Sequence, residues 1–251
     1  MRVIYFDCVG GASGDMLLSA LLDAGASLAA VEAAVTGLRL PGCSLQVEQV
    51  MQGALRARRV TVVTPREQTE RHPAELVEII ERAGLPEPVK VRARAMVLRL
   101  AEVEAGIHNS SPDHVHLHEL GGDDTLIDLC GVLTALDDLQ IERVCCSPLP
   151  LARGFTRSMH GIIPLPAPAT LELLKDSLVR CEERVEAELV TPTGAVLLAS
   201  LVQRWGSFPT MRLQAVGVGA GRRRLPFPNI LRAWIGDAQP DQAEPGPANP
   251  A

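Results

Sequence analysis

Apolar and polar positions repeat along this chain with two periods, one near 2 and one near 3.6, and the switches between them mark strands and helices. Val3 to Phe6 is an apolar run of strand length. Leu45 to Met51 and Ala57 to Thr64 alternate about Gly53, which predicts a hairpin. Helical spacing is expected from Met16 to Ala24, Leu28 to Leu38, His72-Pro73 to Ala83 and Pro88 to Ile107, where Val91, Ala95, Leu98, Ala101 and Glu102 mark the repeat. From Asp124 to Leu139, the stripe Leu126, Leu129, Leu133 and Leu136 reads as core. Val144 to Ser147 reads as strand, Pro148 to Pro168 as an extended surface stretch, Thr170 to Leu174 as a short helix and Val185 to Val190 as strand. Thr191 is placed to cap a helix with Pro192 at its first position, running to Trp205. Arg212 to Val218 and Asn229 to Ile235 read as closing strands. This mixed order predicts an α/β (mixed α+β) fold, a sheet of mixed strands with helices packed on its faces. Residues 1–236 are expected to form one domain and 237–251, rich in Pro, Gly, Ala and acid, a disordered tail.

Composition narrows the function. The 251 residues suffice for a sizeable core, but aromatics are only 3%, so that core must come from Leu, Val, Ala and Ile. A net charge of −6 argues against a general nucleic-acid binder, which needs surplus Lys and Arg to neutralise phosphates, and leaves room for a local anion pocket. No apolar run reaches the length of a membrane span, and MRVIYFDCVGG is too short and too soon acidic for a signal peptide, so a cytoplasmic location is expected. Six cysteines without a CxxC pair read as buried reduced thiols; Cys8, beside Asp7 at a strand end, is the one to watch.

The chemistry concentrates at Asp113 to Glu119, where three imidazoles and two carboxylates occupy seven residues, with Asp123, Asp124 and Asp128 close behind. Neutral imidazole binds borderline metals such as Zn, Ni and Cu, and carboxylates complete such sites. An extended segment would put His114, His116 and His118 on one face; a helix would pair only His114 with His118. A solvated turn is the plainer alternative. A second constellation is the loop Gly10 to Gly14 between a strand and a helix, flanked by Asp7 and Asp15. Its backbone N–H groups suit an anion, although the Lys-Ser/Thr pair of a P-loop is absent. The two acids suit a divalent cation, or simply end the strand and cap the helix. Thr191-Pro192-Thr193-Gly194 offers hydroxyls and open N–H groups at another helix start, for phosphate or as a plain cap. Arg222-Arg223-Arg224 suits an anion or a solvated turn; His72, His108 and His160 are ambiguous by themselves.

Together, FDCVGGASGDM, AEVEAGIH, HVHLHELGGDDTLID, HGIIPLPAPATLELL and ELVTPTGAVLL resemble, in order and spacing, the LarC family, from about Met1 to Ile235. That resemblance implies nickel insertion into pyridinium-3,5-bisthiocarboxylic acid mononucleotide, a lyase-class metal chelation that makes the nickel-pincer nucleotide used by lactate racemase. It implies Ni²⁺ as cargo, with Mg²⁺ or Mn²⁺ as a further ion. CTP is associated with a C-terminal domain beyond the region matched here, so a split or truncated enzyme with a separate partner is expected. No nucleic-acid or membrane partner is expected, and a homo-oligomer stays open. Carried over, the resemblance marks candidates, and among them we assign His116 and His118 as first-choice nickel ligands, Glu119 and Asp124 as ligands or as groups that orient the imidazoles, and His108 and Asp128 as further members of the metal set. Asp7, Asp15, Glu119 and Asp124 are marked as catalytic, and Gly10, Gly11, Ser13, Gly14, Thr191 and Thr193 as cofactor-binding. His160 joins the candidates on the same basis. The alternatives are a metal-dependent phosphoester or amide hydrolase, and a non-catalytic nickel-binding subunit.

Overall fold

The computed structural model describes residues 1–65, 70–118, 120–159 and 161–238. Strand β1 (Arg2–Asp7) leads into α1 (Gly14–Asp23) and α2 (Leu28–Gly37), followed by the hairpin β2 (Ser44–Gln52) and β3 (Leu55–Val63). Gly53 turns that hairpin at φ +62°. Helices α3 (Pro73–Arg82), α4 (Glu87–Ile107) and α5 (Asp123–Asp138) come next, then β4 (Arg143–Cys146), β5 (Leu149–Leu151), β6 (Gly154–Ser158) and β7 (Gly161–Leu165). The chain continues through α6 (Pro168–Leu173), β8 (Val179–Cys181), α7 (Pro192–Leu201), β9 (Val202–Trp205), β10 (Met211–Ala220) and β11 (Ile230–Ala238). Seven strands form one mixed sheet in the order β2-β3-β10-β11-β1-β4-β9.

The core lies between one face of this sheet and the helices. Ile4 and Phe6 of β1, Leu231, Ala233 and Ile235 of β11 and Val60 of β3 point into it and meet Leu17, Leu21, Leu126, Leu129, Leu133 and Leu136. Gly217 and Gly219 let α1 lie directly on β10, because a Cβ at either would strike α1 backbone at Ala20, Ala24 or Met16. Tyr5, Trp234 and Phe208 cluster on the opposite face, with ring centroids 5.3–5.9 Å apart. Among the described residues no helix is long and apolar enough to cross a membrane.

The mixed α/β architecture and the α5 stripe stand as expected. Four local expectations do not. Val185 to Val190 is no strand: its β-pairing among the described residues is the single bridge from Val190 to Ala12. The helix from Pro192 stops at Leu201, where Val202 turns extended and pairs with β4 as edge strand β9. In α4 Ala101 of the expected repeat is buried with Val89, Ala93, Met96, Val97 and Leu100, whereas Val91 and Leu98 are 45% and 46% exposed. Pro148 to Pro168 is extended but paired, β5 with β8 and β6 with β7. The expected boundary at 236/237 falls inside β11, and 239–251 lie outside the described residues.

Candidate functional site

Three segments far apart in sequence meet at one end of the sheet. The loop after β1 is tied on both sides: Gly10 N–H donates to Ile230 O (2.8 Å), Ala12 N–H to Leu189 O (2.9 Å) and Thr191 N–H to Ala12 O (3.0 Å). Gly11 sits at φ +129° with its α-carbon against the Leu189 carbonyl, a position closed to any Cβ. Gly194 admits the Ala12 backbone to the first turn of α7, where Thr191 Oγ1 accepts from Gly194 N–H at 3.2 Å.

Two adjoining clefts open here. The first, about 400 Å³, takes Asp15 from α1, Asp124 and Asp128 from α5, and Arg222 from the β10–β11 loop. The second, about 330 Å³, takes Glu104 and His108 from the end of α4, and His118. Glu188, Thr191, Thr193 and Arg223 line both, so α7 starts at the wall between them.

In the acidic cleft, Gly14 leaves the space that Asp128 fills. Burial pushes the Asp128 carboxyl well above the usual carboxylate range; Asp15 and Asp124 push the same way and Arg222 opposes them. Burial also raises Asp124, against the N–H of Thr125. Asp128 Oδ1 is buried with no hydrogen-bond partner among the described residues. Ser13 Oγ donates to Asp15, whose other oxygen lies 3.4 Å from Arg222. A raised carboxyl favours folding while protonated, and that contribution is lost as pH rises through its folded value. Asp128→Asn is therefore expected to be more stable than the parent at neutral pH, with the gap closing toward acid. Urea unfolding between pH 4 and 8 measures it; a gap that does not change with pH would show the ionised group already compensated.

In the imidazole cleft, His108 caps the C-terminus of α4 with Nε2 3.2 Å from Glu104 Oε2. His118 lies with its ring centroid 6.0 Å from that of His108. His116 is exposed, 6.5 Å from His118 and stacked at 3.9 Å on His72. His114 turns away to Ser111 Oγ at 2.7 Å, because the segment is neither a continuous strand nor a helix.

The marked residues thus separate into groups. His108 and His118 share one cleft; Asp15, Asp124 and Asp128 share the other with Ser13 and Gly14; Thr191 and Thr193 serve both. Asp7 lies on the reverse face of β1, paired with Arg232, away from Asp15. Gly10 and Gly11 shape the loop beneath. Glu119 and His160 lie outside the described residues. Among the described residues no three His, Cys, Asp or Glu side chains converge on one point at metal-binding distance. Cys8 is buried with Sγ 3.6 Å from Cys146 Sγ. Sequence reasoning passed over Glu104, although its i,i+4 spacing to His108 was available, and Glu188, which nothing local announced.

The family model for nickel insertion protein matches residues 4–247. A putative nickel insertion protein of Desulfotalea psychrophila is 44% identical over 237 residues, covering 94% of this chain and 61% of that protein. One from Dictyoglomus thermophilum is 38% identical with the same coverage. The pyridinium-3,5-bisthiocarboxylic acid mononucleotide nickel insertion protein of Desulfitobacterium hafniense is 37% identical over 247 residues, 98% of this chain and 61% of that one. No solved structure matches. The chain thus spans about three fifths of the length of these relatives. The match runs through the glycine loop, the histidine segment and the start of α7 alike, the three parts that meet at the clefts, and this chain belongs to the nickel insertion protein family.

Proposed function

We propose that this chain lends Ni²⁺ to a pyridinium mononucleotide bearing thiocarboxylates at ring positions 3 and 5, as part of the activity its relatives are named for. The observation that carries the reading is the shared wall: an imidazole–carboxylate cleft and a cleft in which arginines and hydroxyls stand among Asp15, Asp124 and Asp128 meet at Thr191 and Thr193. Imidazole and carboxylate hold Ni²⁺ reversibly, whereas two sulfur donors of one substrate hold it more tightly, so transfer runs toward the substrate. His108 and His118 are the first-choice ligands, with Glu104 orienting His108 through their 3.2 Å contact. Asp124, Asp128 and His116 remain in the ligand set, with Glu119. Thr191, Thr193 and Ser13 offer hydroxyls, and Arg222 and Arg223 charge, to the substrate phosphate. Sulfurs at positions 3 and 5 flank ring carbon 4, so a metal held by both would lie in the ring plane beside that carbon; forming the nickel–carbon bond would break its C–H bond and pass the proton to a base. Glu104 and Glu188 are the carboxylates facing the cleft for that task. Asp15 steers the incoming cation or holds Mg²⁺ or Mn²⁺. CTP belongs with the part of the relatives that this chain does not span, on this chain's continuation or on a separate polypeptide.

The test supplies the chain, with and without a polypeptide carrying that remaining part, with Ni²⁺, CTP and the thiocarboxylate nucleotide, and reads the product by mass spectrometry. A nickelated nucleotide is expected when both parts are present. Nickel binding without product in either mixture would reduce the chain to a carrier. Hydrolysis of simple phosphoesters with Mn²⁺ or Zn²⁺ would overturn the reading.

A further inference from the structure

Four imidazoles stand in file. From His72 to His116 the ring centroids are 3.9 Å apart, from His116 to His118 6.5 Å, and from His118 to His108 6.0 Å. Three of them lie in or next to the segment already discussed. His72 comes from another part of the chain, at the N-cap of α3, and tertiary contacts bring it to the file.

Those contacts are built. Arg71, immediately before His72, accepts the Leu117 N–H on its carbonyl at 3.0 Å, an isolated antiparallel bridge. Its guanidinium donates to Gly121 O at 2.7 Å and to Asp123 Oδ1 at 2.6 Å. The Arg71 and Asp123 side chains are 9% and 4% exposed, so this pair is locked inside the protein. The clamp grips the histidine loop on both sides of His118 and sets His72 over His116. The His72 N–H is occupied by Glu75 Oε2 at 2.8 Å. Its ring Nδ1 is buried without a hydrogen-bond partner among the described residues, and the residue as a whole is half-buried.

Distances decide which rings can share an ion. With metal–nitrogen bonds of about 2.0–2.1 Å, a ring centroid sits roughly 3.2 Å from the metal. Two imidazoles on one ion are then separated by roughly 4.5 Å when cis and at most about 6.4 Å when trans. His118 and His108 fall inside that range and His116 and His118, at 6.5 Å, stand at its trans limit; His72 and His116, at 3.9 Å, must open by about 0.6 Å, a rotation that exposed His116 is placed to make. His116 can serve one partner at a time, and pairing it with His72 leaves His118 to His108 as the inner pair.

We propose that His72 is a metal ligand, forming with His116 an outer two-imidazole docking site for a borderline divalent cation, ahead of the inner pair His118 and His108. Among the described residues two protein nitrogens bind there and water fills the remaining positions, so the ion is held loosely and leaves readily. Exposed His116 gives the pair access to solvent, and the step from His116 to His118 leads into the cleft. Cation binding at this pair rests on the placement of the two rings; its use as a loading station for nickel rests on the function proposed above.

Ni²⁺ titration of the whole chain by calorimetry and equilibrium dialysis tests this. Asn is among the best N-cap residues, so His72→Asn keeps the start of α3 and removes only the imidazole. The parent should take up two equivalents of Ni²⁺, and His72→Asn one, with an unchanged melting temperature. His118→Ala should keep the outer equivalent and lose the inner one. Crystals soaked in NiCl₂ should give a nickel-edge anomalous peak between the His72 and His116 rings, absent in His72→Asn. If His72→Asn binds as much nickel as the parent, with the same affinities, the outer site is wrong and the proposed function is untouched. If the parent binds no nickel at all, both fall together.

Discussion

Arg71→Ala should destabilise the fold by about 3–5 kcal/mol, the usual effect of stripping one partner from a buried ion pair. The loss is large because three things fail at once. Among the described residues Asp123 then keeps a buried charge with no counter-ion, and the Cys43 thiol at 3.5 Å is a weak donor to it. Gly121 O loses its donor. The histidine loop loses its tether between Leu117 and the start of α5, so nickel affinity should fall along with stability. Paired replacement of Arg71 and Asp123 by Met and Leu should recover much of the stability, because it removes the stranded charge. It should not recover full nickel affinity, because the Gly121 anchor stays lost. Urea unfolding of the parent, Arg71→Met, Asp123→Leu and the double variant in a double-mutant cycle measures the coupling. A loss below about 1 kcal/mol for Arg71→Ala, the range of an exposed pair, would contradict a buried clamp.

Joint replacement of His108 and His118 by alanine is expected to weaken the tight nickel site by on the order of a hundredfold or more, since even loss of a group that merely orients a ligand costs 10–100-fold. Glu104→Gln should show that smaller effect, because it removes the carboxylate facing His108 Nε2 and leaves the ring. Folding should change little: His108 sits at the end of α4 with 31% of its side chain exposed, and His118 is only partly buried. Calorimetry with Ni²⁺ and thermal melting, run side by side, separate the two readouts. Unchanged affinity in the double variant would move the ligand set to Asp124 and Asp128 in the neighbouring cleft.

Much of the architecture was legible because it rests on local periodicity. β1, the β2–β3 hairpin, α5 and the cap of α7 each announce themselves within ten to twenty residues, through alternation, a leucine stripe or a Thr-Pro pair. The failures occur where a local signal is ambiguous. In α4, Val91 and Leu98 satisfy a helical period as well as Val89, Met96 and Leu100 do, and packing against α3, α5, α6 and α7 selects the buried face. At Val202 an apolar run that could continue a helix becomes strand because β4 presents an open edge to it. Val185 to Val190 has strand-like composition but no neighbour to pair with beyond Ala12.

For the site, the sequence alone determined the chemistry on offer: clustered imidazoles, carboxylates and glycine-loop or helix-start donors, with the family that carries them. Residue types and short spacings suffice for that, because ligand chemistry belongs to the side chain. The tertiary structure decided which groups face one another. It put His114 outside and His72 inside the imidazole file, sent Asp7 to the reverse face of the sheet, and set the aspartates in a separate cleft across Thr191 and Thr193. Those placements depend on contacts between segments tens of residues apart, such as Arg71 with Asp123 and Ala12 with Thr191, and no local periodicity encodes such pairings.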